Sequence, residues 1–148
     1  MKITKQLGFM GLIPFIGSLV LSLQNISVDN INLPNMAWQV DGQFLFIAYS
    51  AVILSFMAGT LWQANQSEKK VKQNIISNVF SLFAFFALLT PTLIAVVILA
   101  FNYLVLFLYE SRYVDKQDNI SAPYMKMRLQ LTLVVVSLHI AAFIFWLS

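Results

Sequence analysis

Apolar positions along this chain do not alternate with polar ones; they gather in long runs separated by short polar stretches. A helix crossing the hydrocarbon core of a bilayer needs about 20 mostly apolar residues, with a range of roughly 17–25. One run spans 7–23 and is interrupted only by Pro14, which predicts a kink there because neighbouring helices can satisfy the freed backbone groups. Others span 44–62 and 129–147. Between them lies an apolar stretch from Ile75 to Tyr109, too long for one crossing and barely enough for two. Thr90-Pro91-Thr92 sits near its centre. Proline favours the first position of a helix and pushes the preceding residue out of helical geometry. The pattern therefore predicts a tight hairpin of helices over 75–89 and 92–109, with one long kinked helix as the rival.

Composition turns these runs into a solvent statement. The chain has 148 residues, of which 59% are hydrophobic and 10% charged, and its mean hydropathy is +0.79. Soluble domains carry roughly 25% charged residues. So small a chain exposes much of its surface and could not hide this apolar content from water. The expectation is an all-α integral membrane protein, residues 1–148 forming a single bundle of five transmembrane helices. There is no cysteine. Disulfides, thiol catalysis and Cys-ligated metal centres are thereby excluded.

Charge chooses between the hairpin and its rival, because basic residues collect in cytoplasmic loops. With the hairpin, Lys2, Lys5, Lys69, Lys70, Lys72, Arg112, Lys116, Lys126 and Arg128 all share one side. The opposite loops hold Asp29 and Asp41 and no basic residue. Without the hairpin, the last four cations would move across. The predicted topology is N-terminus in and C-terminus out. Trp62, Tyr109, Tyr113 and Tyr124 then fall near the inner interface and Trp146 near the outer one, the depth amphipathic rings prefer. The first run has a short basic start like that of a signal peptide. It is long for one and lacks an A-x-A site, so it is expected to stay as a span.

Segment 24–43 reads as an outer loop, and segments 63–74 and 110–126 as inner loops. Within the spans, a few residues could carry chemistry or specific packing. Ala51, Ser55 and Gly59 recur every four positions on one helical face. Lipid supplies no hydrophobic drive between helices, so such small residues are candidates for close backbone approach, inside the monomer or at a dimer interface. His139 is the sole histidine, 139 − 128 = 11 positions beyond Arg128, or about 16 Å along a helix axis. Arg128, Thr132, Val135 and His139 thus form one stripe, expected to face the second helix or the hairpin. An ionisable group in the membrane is a functional hypothesis by default. The chemical options are a proton path with Tyr49 and Asn102, or a metal or haem ligand. The structural option is a hydrogen bond to Tyr49, Asn102 or a serine. One histidine with no embedded carboxylate is a poor relay and, alone, a poor metal site. Arg128, at the inner interface, is placed to snorkel to headgroups or to pair with an acid such as Glu110 or Asp115.

No nucleophile elbow, phosphate-binding glycine loop or paired catalytic carboxylates occur. No catalytic residue, metal ligand set or cofactor is expected, and the cations are accounted for by topology and lipid headgroups without nucleic acid.

The run Ala48-Tyr49-Ser50-Ala51-Val52-Ile53-Leu54-Ser55-Phe56, followed by Gly59 and Trp62, resembles the hallmark of a family of uncharacterised small membrane proteins from proteobacteria, which includes the mitochondrial transmembrane protein 69. Tyr124, Arg128, Leu131 and Thr132 resemble its second motif, and the likeness extends to the Leu-Gly start and the Thr90-Pro91 turn. Ser50 and Ala58 depart from it, standing where the resemblance leads us to expect glycine. It implies a bacterial inner-membrane or mitochondrial inner-membrane setting and implies no reaction. The function expected is that of a non-enzymatic accessory, assembly or scaffold subunit in contact with lipid and other membrane subunits. The alternatives are a small transporter or proton path through His139, and a haem- or quinone-associated redox subunit.

Overall fold

The computed structural model describes residues 9–23, 41–61, 68–114 and 122–147. They form five α-helices: α1 Ile13–Leu23, α2 Gly42–Gly59, α3 Glu68–Ala87, α4 Thr92–Tyr109 and α5 Ala122–Leu147. Among the described residues there is no strand. Within the same residues three segments are long and apolar enough to cross a membrane: Gly42–Gly59, Thr92–Arg112 and Pro123–Leu147.

Local chemistry explains the boundaries. Pro14 and Pro123 occupy the first turns of α1 and α5, and Pro91 stands immediately before α4 with φ −54° and ψ 146°. A proline lacks only an N–H that has no partner in a first turn, and its fixed φ suits a helix start. Asp41 caps α2 through its side chain, which accepts from the Gln43 N–H at 3.3 Å. The α3–α4 hairpin closes at Thr90, whose hydroxyl donates to the Ala87 carbonyl at 2.9 Å. At its far end α4 runs into a π-helical turn, Glu110–Val114. Such turns are rare and recur at functional positions.

Several expected boundaries shift. In the first run Phe9 and Met10 are helical, a turn follows at Gly11–Leu12, and α1 runs from Ile13 with Pro14 in its first turn, so the interruption expected at Pro14 falls just before it. At 11 residues, α1 is too short to cross the hydrocarbon core by itself. The third helix begins at Glu68, which makes most of segment 63–74 the polar first turns of α3. Those turns lower its hydropathy, and α3 is not among the three long apolar segments. Segment 110–126 likewise divides into the π-turn and the first turn of α5, around 115–121, which lies outside the described residues. Among the described residues there are thus five α-helices, three of them long and apolar enough to cross alone.

The helices pack in sequence around a ring, α1 on α2, α2 on α3, α3 on α4, α4 on α5, and α5 back on α1; α2 also meets α4. The core is a column of side chains including Phe15, Phe46, Leu54, Val96, Leu99, Tyr103 and Leu106. Large apolar residues such as Val52, Val79, Phe86, Ile94, Phe101 and Ile144 face outward. That outer belt suits lipid, and no water-soluble domain of this size would present it. Because α2 and α5 are spanned mainly by α1 and α4, a groove runs between them. We name its two ends by residues: the Trp146 end, where α1 finishes and α2 begins, and the Arg128 end, where α5 begins.

Candidate functional site

At the Trp146 end the groove is closed. His139 is 0% exposed. Its Nδ1 lies 2.8 Å from the Val135 carbonyl oxygen, one turn back on α5. A carbonyl only accepts, so Nδ1 carries the hydrogen. Its Nε2 lies 2.8 Å from the Ser50 hydroxyl on α2. In the uncharged ring of this tautomer Nε2 accepts, and Ser50 donates. The Ser50 backbone carbonyl in turn accepts from the Tyr103 hydroxyl of α4 at 2.8 Å. Phe46, Tyr103 and Phe15 surround the imidazole with centroid separations of 4.9, 5.7 and 6.0 Å. Trp146 seals the column, packing edge-on against Phe46 at 5.6 Å and donating to the Ser22 hydroxyl at 3.1 Å. Residues from α1, α2, α4 and α5 therefore meet at this ring, and both of its nitrogens are engaged.

The Arg128 end is built differently. Arg128 and Glu110, 5% and 3% exposed, form an ion pair between α5 and the π-turn after α4. Arg128 Nε and Nη2 both donate to Glu110 Oε2, at 2.9 and 2.5 Å. Nη1 is not used by Glu110. A buried carboxylate beside a buried guanidinium offsets charge that either alone could not carry in a low-dielectric setting. Next to the pair, the groove opens into a cleft of about 450 Å³. Its apolar walls include Leu12, Ile53, Met57 and Leu131, and Phe56, 73% exposed, stands at its rim. Tyr124, Arg128 and Thr132 also line it. Thr132 is 1% exposed, and its hydroxyl has no hydrogen-bond partner among the described residues. Burying such a group unpaired costs about 1–3 kcal/mol.

The stripe Arg128, Thr132, Val135 and His139 is buried throughout. The polar trio of His139, Tyr49 and Asn102 is not brought together by hydrogen bonds. Tyr49 donates to the Gly11 carbonyl at 2.8 Å, tying α2 to the turn before α1. Asn102 donates within its own helix to Ile98 at 2.8 Å. The small-residue row also splits: Ala51 is buried, Ser55 half-buried, and Gly59 exposed, with nothing within 4 Å of where a Cβ would stand. Closest approach falls instead at Gly42, where a Cβ would collide with the α1 backbone at Leu21 and Ser22. Phe56 lies on the rim of the cleft, and Trp62 is outside the described residues. The sequence offers a serine as a partner for His139 and Tyr103 as a polar group of the hairpin, without singling out Ser50 as that serine or Gly42 as a point of close approach. Ser50 and Tyr103 were visible as polar groups in apolar runs, one helical step from the residues that were chosen. Gly42 was visible as a glycine beside a capping aspartate.

Among the described residues no group of three or more His, Cys, Asp or Glu is placed to hold a metal ion. His139 Nε2 faces the Ser50 hydroxyl inside a cage of rings, with no open side for an iron or a porphyrin. No curated protein and no solved structure matches the chain. A family model does, over residues 1–144, and its description is "Protein of unknown function (DUF3429)". On that coverage, the chain is a member of the DUF3429 family of proteins of unknown function.

Proposed function

We propose that this chain is a non-enzymatic accessory, assembly or scaffold subunit of a membrane complex. It would cross the bacterial inner membrane five times, with its N-terminus in the cytoplasm. One observation carries the functional part: the sole histidine is a packing keystone. It joins Ser50 of α2 to α5, lies among Phe15, Phe46 and Tyr103, and has neither nitrogen free. A proton path would need polar neighbours on both sides of that ring, and an iron ligand would need an open nitrogen. The five-span count is supported by antiparallel packing through the Thr90–Pro91 turn, which puts the basic start of α3 at the same end as Arg112 and Lys126. There α1 would cross together with the turn before it, and α3 would keep its charged first turns among headgroups, where long basic side chains can snorkel. A mitochondrial inner membrane is the other setting, through the resemblance to transmembrane protein 69.

Gentle purification of the tagged chain from its native membrane tests the role. A stoichiometric membrane partner is expected. A chain that purifies alone and moves a solute in liposomes overturns it, and a haem spectrum in the purified protein overturns it in favour of a redox subunit. Topology has its own test. Reporters fused at Asn35, Ser67, Asp118 and Ser148 should read out, in, in, out, and a cytoplasmic signal at Ser148 removes the α3–α4 double crossing.

A further inference from the structure

We propose that the cleft at the Arg128 end binds one quinone-type amphiphile: a flat, uncharged ring carrying carbonyl acceptors, on an apolar tail. The inference does not depend on the accessory role. The cleft's volume, about 450 Å³, lies within the range of small-molecule sites, roughly 300–1,000 Å³, and like them it is mostly apolar with few convergent polar groups. One of those groups is a donor awaiting an acceptor: the Thr132 hydroxyl is buried and unpartnered among the described residues, while Arg128 beside it donates to Glu110 through Nε and Nη2.

Charge and shape narrow the ligand further. Glu110 already neutralises Arg128, so an anionic headgroup would bring an uncompensated negative charge, whereas a carbonyl accepts a hydrogen bond and brings none. Phe15, Phe56, Tyr103 and Tyr124 line the cleft, together with Met57 and Met127. Rings and thioethers pack well on the faces and edges of a flat ring. Depth disfavours a glycerolipid. Thr132 lies nine residues beyond Pro123, where the long apolar segment of α5 begins, so it sits about 13 Å further along the axis. An ester carbonyl stays near the headgroups, while a neutral ring on an apolar tail can reach that depth. Phe56 at the rim marks the side through which the tail would lie against the bilayer.

The test titrates decylubiquinone into the full chain in phosphatidylcholine nanodiscs, reading affinity and thermal stability. Saturable binding that raises the Tm is expected. Thr132→Val should weaken binding about tenfold, the effect of losing one hydrogen bond, and leave the unliganded Tm unchanged or raised, because an unpaired hydroxyl is gone. Thr132→Ser should bind like the native chain, as should Val79→Ala on the outer face. Leu131→Trp, which fills the cleft, should abolish binding. Absence of saturable binding to the folded native chain overturns the proposal. So does a Thr132→Val variant of native affinity, and so does displacement of the quinone by an equal concentration of dioleoylglycerol, which would mark a lipid cleft.

Discussion

The two ends of the groove between α2 and α5 use the same pair of helices to opposite effect. At the Trp146 end every polar group that enters the bundle is matched: imidazole to hydroxyl and carbonyl, phenol to carbonyl, indole to hydroxyl. Aromatic rings fill what remains. At the Arg128 end the one strong interaction, Arg128 with Glu110, ties α5 to the end of α4 and leaves α2 standing apart across a cleft. The difference shows how a bundle in lipid divides its work. With no hydrophobic drive between helices, close packing and hydrogen bonds must hold the closed end. An open end is tolerated where one buried ion pair fixes the helices that flank it.

The largest effect should come from breaking that pair. Arg128→Met leaves Glu110 buried and unpaired, and breaking a buried pair costs about 3–5 kcal/mol. Loss of the monodisperse folded species in detergent is expected. The double variant Arg128→Met with Glu110→Gln removes both charges and should recover most of that loss. If the single and double variants behave alike, the pair is not what holds this end.

Next comes a contrast between two glycines of α2. Gly42→Ala places a methyl group against the α1 backbone, and overpacking of this kind costs about 1–3 kcal/mol. Gly59→Ala meets empty space and improves helix propensity, so stability should hold or rise by up to about 1 kcal/mol. Thermal stability monitored by size exclusion separates them. Equal losses would mean that Gly59 packs against something beyond this chain, which is the dimer option the Ala51-Ser55-Gly59 row left open.

These glycines also show what could be read from the sequence. The α3–α4 hairpin was legible because Thr90-Pro91-Thr92 is a local signal, and local signals do not depend on a partner. The burial of Arg128 through His139 was legible because a charged or ionisable residue in an apolar helix has only one tolerable direction to face. The elements opposite, the second helix and the hairpin, were legible too, but not which side of α2 would face the stripe. Nearly every residue of α2 is apolar, so no periodic polar face tells which side meets α5. Tyr49 and Ser50 are about 100° apart on the helix, and the serine, with the smaller polar group, faces the histidine. The start of α1 was missed for a related reason. Leu7 to Leu23 holds no charged residue, and nothing in its hydropathy marks the turn at Gly11–Leu12 that the Tyr49 hydroxyl secures. The cleft was beyond reach altogether, since a void is a property of how four helices meet.

The smallest effect tests the closed end directly. His139 and Ser50 are joined by one hydrogen bond, and bonds of this kind in membrane bundles average about 0.6 kcal/mol, with a maximum near 1.7. A double-mutant cycle with Ser50→Ala and His139→Leu should return a coupling of that size. His139→Gln should lose less than His139→Leu, because an amide can still bond to Ser50, and partner binding should survive it. The rings decide how the result is read. Leucine gives up the edge contacts with Phe15 and Tyr103 as well as the hydrogen bond, so the single His139→Leu loss should exceed the coupling. A coupling near zero with a large single-variant loss would show that aromatic packing, and not the imidazole–hydroxyl bond, closes this end. If His139→Gln leaves the protein folded but abolishes partner binding, the imidazole itself is required, and the keystone role is wrong.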